Sequence, residues 1–193
     1  MAKGGSFERL IAVQLSEWWT NGERDDVYWR SSNSGGRATA RHKKGKRTAG
    51  QYGDIAAIDP IGKPLLDLMT LSLKRGYSDD NLHSLLDASA NAKEQKYQKW
   101  MNEAYADCCR AKSFSWALLT RRDRREPLLF MPDNLAKIFE HRPIASFYTT
   151  IDSEEGALGI IGGLMHVYLW EDWLEATHPD GIRDFVKGLE QNK

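Results

Sequence analysis

The chain has 193 residues, 41% hydrophobic and 28% charged. That is enough to bury a core without disulfides, and balanced enough to exclude a mainly disordered chain. Twenty-seven basic residues against 27 acidic ones give zero net charge, which excludes a wholly basic nucleic-acid coat protein but not a local basic site.

No apolar run reaches the roughly 18–20 residues that span a bilayer, and no secretory signal precedes the first amphipathic segment, so no membrane partner is expected. Cys108 and Cys109 are adjacent. Neighbouring cysteines rarely bridge, and a reducing cytoplasm is the expected compartment. The length fits a single domain over 1–193.

Ser6 is placed to cap a first helix, in which Phe7, Leu10, Ile11, Leu15 and Trp18 recur at spacings near three and four until Asn21-Gly22 ends it. Residues 26–31 read as a strand. Residues 32–53 show no period and form a long, flexible, glycine-rich loop, of the length that usually serves a function. Within it Arg37, Arg41, Lys43, Lys44, Lys46 and Arg47 stand without a single acid between 35 and 50, where an even spread would place about two cations. Such an arm suits nucleic-acid phosphates; the plainer reading is a solvated loop.

Residues 54–59 form a short strand, Pro60 to Pro64 a turn, and residues 68–74 a second strand. The pair reads as a hairpin, with Met69, Leu71 and Leu73 on one face and Thr70, Ser72 and Lys74 on the other. A short helix is expected over 81–90. A longer one over 93–112 carries Tyr97, Trp100, Met101, Ala104, Tyr105 and Cys108 on its apolar side. Strands at 116–119 and 128–131 enclose Arg121-Arg122-Asp123-Arg124-Arg125, either a solvated turn or a second phosphate contact. A helix over 134–141, a strand over 145–151 and a terminal helix around 185–189 complete the chain. Residues 156–170 are apolar and glycine-rich, and their period does not separate strand from helix. Tyr168, Trp170 and Trp173 are either core or the face of a homodimer. The pattern predicts one α/β domain, a central mixed β-sheet flanked by helices.

The chemistry concentrates on Asp54 at the start of one strand and on Ser72 and Lys74, which share a face late in the next. A carboxylate beside an ammonium is what metal-assisted phosphodiester hydrolysis uses: the acid holds a hard cation, and the lysine orients water or neutralises developing charge. A surface salt bridge is the plainer reading of those residues alone.

The order of elements adds to it. A helix carrying Glu8, a strand, Gly53-Asp54-Ile55, then Ser72-Leu73-Lys74 and an immediate helix resembles the PD-(D/E)xK nuclease superfamily, and within it small phage and prophage proteins. The resemblance spans roughly residues 6–120 and implies a restriction-endonuclease-like fold. It implies cleavage of nucleic acid, double-stranded DNA first, with Mg²⁺ or Mn²⁺ and in a bacterial host's cytoplasm. It assigns Asp54 and Glu8 to the metal, the Leu73 carbonyl as a further ligand, and Lys74 to the attacking water. The family usually carries Glu or Asp two residues before the lysine, where this chain has Ser72, a weaker neutral ligand. Either an acid elsewhere takes that place, Glu8 before Asp59 or Asp67, or the site is degenerate, or a substitution at position 72 disables the enzyme. In the second case the protein is a DNA-binding, regulatory or assembly module.

Overall fold

A computed structural model describes residues 3–31, 52–76, 95–151 and 161–191. Helix α1 (Lys3–Trp19) buries Phe7, Ile11, Leu15 and Trp19, an i, i+4 stripe facing the core. Leu10, expected in that stripe, is 41% exposed, and Trp18 packs half-buried at its margin. Because the helix starts at Lys3, Ser6 lies inside it, and its hydroxyl accepts from Arg75 instead of capping. Asn21 and Gly22 do end the helix, both at positive φ. Buried Ser16 ties the helix to the next segment: its Oγ accepts from the backbone N–H groups of Val27 and Tyr28.

The expected hairpin is not formed. Strand β1 (Tyr28–Arg30) pairs antiparallel with β2 (Ile55–Ala57), Arg30 opposite Ile55, in a two-stranded ribbon. Between β2 and the next strand lie a 3-10 turn (Pro60–Gly62) and helix α2 (Lys63–Leu68). The cause is local. The Asp59 carboxylate accepts from Ile61 N–H and Pro60 takes the first helical position, so Asp-Pro starts a helix where a turn is expected.

Strand β3 (Met69–Arg75) therefore leaves Leu68 to the helix and takes a distant partner. It runs parallel to β4 (Ser115–Arg121), with Lys74 opposite Thr120, and helix α3 (Lys96–Ala111) supplies the crossover that parallel neighbours require. Next come strand β5 (Leu128–Pro132), helix α4 (Asp133–Ala136, shorter than the expected 134–141) and β6 (Ala145–Ile151). The undecided apolar segment becomes strand β7 (Ile161–Leu169), leading into α5 (Trp170–Ala176) and α6 (Pro179–Gln191). The five-stranded sheet has the order β3-β4-β5-β7-β6, and only β3 and β4 are parallel within it.

Side chains alternate across this sheet. Leu71, Leu73, Ala117, Leu119, Leu129 and Tyr168 pack toward α1 and α2, together with Trp170 and Trp173. Trp116, Leu118, Phe130, Met165 and Val167 pack against Tyr97, Trp100 and Met101 of α3. Tyr168, Trp170 and Trp173 are thus core and not a dimer face: each is at most 1% exposed. Cys108 is buried, Cys109 is exposed, and both are free thiols. The helix expected over 81–90 and the basic arm with Arg37, Arg41, Lys43, Lys44, Lys46 and Arg47 lie outside the described residues. Among the described residues no helix is long and apolar enough to cross a membrane.

Candidate active site

Strand β3 is an outer strand of the five-stranded sheet, and its free edge receives Asp54. The Asp54 N–H donates to the Leu71 carbonyl at 2.8 Å, and the Leu73 N–H donates to Asp54 Oδ2 at 2.7 Å. Ser31, just past the end of β1, grips the same turn from the other side. Its N–H donates to the Asp54 carbonyl and its Oγ to the Gly53 carbonyl, each at 2.8 Å. Gly53 itself is required. It sits at φ 75°, and a Cβ there would lie 2.6 Å from the Leu71 carbonyl oxygen. Gly53→Ala is expected to cost more than the ~1–2 kcal/mol of a left-handed residue, because the clash pushes Asp54 off the β3 edge. Denaturant unfolding and a cleavage assay on the same preparation check this; a variant as stable and active as the parent refutes it.

Three further elements direct charge at Asp54. From α1 comes Glu8, 14% exposed and paired with Arg30 at 3.2 Å. From β3 comes Lys74, whose Nζ donates to Glu103 Oε2 of α3 at 2.8 Å. One helical turn beyond Glu103 stands Asp107, which pairs with Arg110 at 2.9 Å and whose carboxyl pKa the nearby Gly53 N–H and Lys74 act to lower. Burial pushes the Asp54 carboxyl from 3.8 up to about 6. The Leu73 N–H and Lys74 act against that rise, while Glu8 and Asp107 add to it. Burial also raises Asp107. Carboxyl groups crowded into a desolvated corner are what a divalent cation relieves.

The structure thus brings Asp54, Lys74 and Glu8 into one electrostatic neighbourhood, although not through the expected hairpin. Ser72 is 3% exposed, on the side of β3 covered by α3, where a neutral hydroxyl is the cheaper group to bury. In a strand the N–H and C=O of one residue point the same way, so the Leu73 carbonyl shares the free edge with Asp54. The two other substitute acids suggested by the sequence are engaged elsewhere: Asp59 pairs with Arg24, and Asp67 with Lys63. Sequence reasoning misses Asp107 and Glu103. The signal is present: both lie off the apolar positions 97, 100, 101, 104 and 108 of the helix that comes after the lysine, four residues apart.

Over residues 1–184 the chain matches the family described as "Phage putative PDDEXK endonuclease". The chain belongs to that family. No curated protein and no solved structure matches it. Membership accounts for the fold: an α/β, restriction-endonuclease-like arrangement of a mixed five-stranded sheet flanked by helices. Gly53-Asp54 and Ser72-Leu73-Lys74, the residues that carry the resemblance in the sequence, lie within the matched span.

The donor chemistry at the β3 edge fits a hard cation, since every ligand candidate there is a carboxylate or peptide oxygen. Among the described residues no three His, Cys, Asp or Glu side chains stand close enough to hold an ion alone. A cation would therefore rest on one or two carboxylates and complete its shell with water or phosphate oxygens, as Mg²⁺ does.

Proposed function

We propose that the protein is a Mg²⁺- or Mn²⁺-dependent nuclease that hydrolyses phosphodiester bonds in double-stranded DNA. One observation carries the reading: a buried carboxyl pinned to the β3 edge by the Leu73 N–H, within the electrostatic reach of Lys74 and of the acids Glu8 and Asp107. Asp54, the Leu73 carbonyl and one of those acids would hold the ion. When bound, the ion polarises the phosphate and lowers the pKa of the attacking water. Lys74, steadied by Glu103, meets the charge that develops on the phosphate and orients the water. Asp107 takes the part that position 72 leaves open, and this is how the chain dispenses with an acid there. The arm with Arg37, Arg41, Lys43, Lys44, Lys46 and Arg47 precedes Asp54 in the chain and would hold the duplex.

A second reading, a nuclease scaffold that binds nucleic acid without cutting it, draws on Ser72 and on the absence of a three-acid cluster among the described residues. One comparison separates the two. Duplex DNA, single-stranded DNA and RNA are incubated with the protein and with Lys74→Ala in Mg²⁺, Mn²⁺ or EDTA. The nuclease reading expects duplex cleavage that EDTA stops and that Lys74→Ala slows ~10²–10³-fold. Salt-dependent binding with no cleavage under any condition supports the second reading. Undiminished cleavage by Lys74→Ala removes the lysine from the mechanism.

A further inference from the structure

We propose that the turn between β4 and β5, through Arg122, Arg124 and Arg125, grips the sugar-phosphate backbone immediately beside the phosphate that is cut. The proposal rests on the nuclease reading above and adds to it the place where the substrate strand lies.

Position comes first. Because β3 and β4 are parallel, they finish at the same end of the sheet: Lys74 stands opposite Thr120 and Arg75 opposite Arg121. The Gly76 N–H closes this end by donating to the Arg121 carbonyl at 3.1 Å. A small cleft at this end is lined by Lys74, Gly76, Thr120, Arg121 and Arg122 of the strand ends and by Tyr97 and Trp100 of α3. The turn therefore begins one strand, about 4.8 Å, from the lysine of the candidate site. A backbone crossing Lys74 meets it next.

Charge and pairing come second. Residues 121–126 carry four arginines against Asp123 and Glu126. Several other cations among the described residues are engaged: Arg24 with Asp26 and Asp59, Arg30 with Glu8, Lys74 with Glu103, Arg110 with Asp107. The guanidinium groups of Arg121, Arg122, Arg124 and Arg125 form no ion pair with any described carboxylate. Arg124 and Arg125 are exposed, and Arg122 half so. Forked donors of this kind match phosphate oxygens two at a time.

Order comes third. The Arg125 N–H donates to the Arg122 carbonyl at 3.2 Å, and Arg121 Nε to the Arg125 carbonyl at 3.3 Å. Arg124 holds φ 61°, a conformation that glycine or asparagine adopts more cheaply. The turn is held in shape by its own bonds, so presenting these side chains to a ligand costs little backbone entropy.

The test measures binding, not cleavage, in an Asp54→Asn background that leaves the duplex intact. Fluorescence anisotropy of a labelled duplex is followed across a salt series for three proteins: the parent, Arg122→Gln/Arg124→Asn/Arg125→Gln, and Arg122→Lys/Arg124→Lys/Arg125→Lys. The proposal expects the slope of log K against log salt to fall by about 2–3 in the neutral variant, near 0.9 for each phosphate no longer gripped, and to persist in the Lys variant. Thermal unfolding of the variants should match the parent. A neutral variant with the parent's slope overturns the proposal and leaves the nuclease reading standing. A parent that shows no salt-dependent binding to DNA or RNA overturns both.

Discussion

Asp54→Asn is expected to abolish cleavage and, in EDTA at pH 7, to make the protein more stable by up to about 3 kcal/mol. The second half rests on burial. The folded-state pKa of Asp54 is held near 6, against 3.8 for an ordinary aspartate. A group raised in this way contributes stability that is fully present below pH 3.8 and is lost as pH rises through 6. Above both values the folded protein carries a desolvated carboxylate it would rather protonate, and a displacement of that size corresponds to about 3 kcal/mol. Asparagine keeps an oxygen for the Leu73 N–H and removes the charge. The gain should therefore shrink between pH 6 and 4 and vanish near pH 3.8. Millimolar Mg²⁺ should reverse the order, because the parent gains stability from an ion that the variant cannot hold. Urea titrations of both proteins, with and without Mg²⁺ across that pH range, check each part. No stabilisation in EDTA would show that the carboxyl is solvated, and residual cleavage at the parental rate would remove Asp54 from the mechanism.

Asp107→Asn carries the other large effect. If Asp107 takes the place of the acid missing from position 72, its loss costs cleavage on the order of 10²-fold, about 2.7 kcal/mol of transition-state stabilisation. The fold should hold, since Asn keeps the size and polarity of the side chain and removes a carboxylate that burial penalises. Adding Ser72→Glu to Asp107→Asn should restore part of the rate, because position 72 lies on the side of β3 that faces α3. Ser72→Glu alone should slow the enzyme by placing a further buried acid among those already crowding Asp54. Single-turnover rates of the four proteins form a cycle in which non-additivity is the result sought. Additive losses would mean that the two positions do not share one role.

The candidate site is partly legible in the sequence. Asp54 and Lys74 are separated by 19 intervening residues, yet alternation along 69–74 and the Gly-Asp step are enough to pair them as candidates. Glu8 enters only through the family resemblance, and its place beside Asp54 depends on α1 packing over β3. Asp107 escapes, because helical periodicity sorts residues into faces without saying which strand the polar flank of the helix will meet. Residues 54–59 and 68–74 pass for a hairpin for a related reason. Three residues of β2 carry no information about which strand they will join, and Asp59-Pro60 serves a turn and a helix start equally well.

Local rules are therefore sufficient for whatever depends on neighbours in the chain: the first helix, the alternating strands and the α/β class. Membership of the nuclease family is likewise legible in the sequence alone, over residues 1–184. Pairing and burial are a different matter. Whether β3 meets β2 edge-on or β4 side by side, and whether Ser72 faces water or α3, depends on free energies summed over contacts far apart in sequence. The same holds for the acid that stands in for the missing one. Backbone hydrogen bonds at a strand edge and the exclusion of water between packed layers set these outcomes. Both arise only when the whole chain has closed.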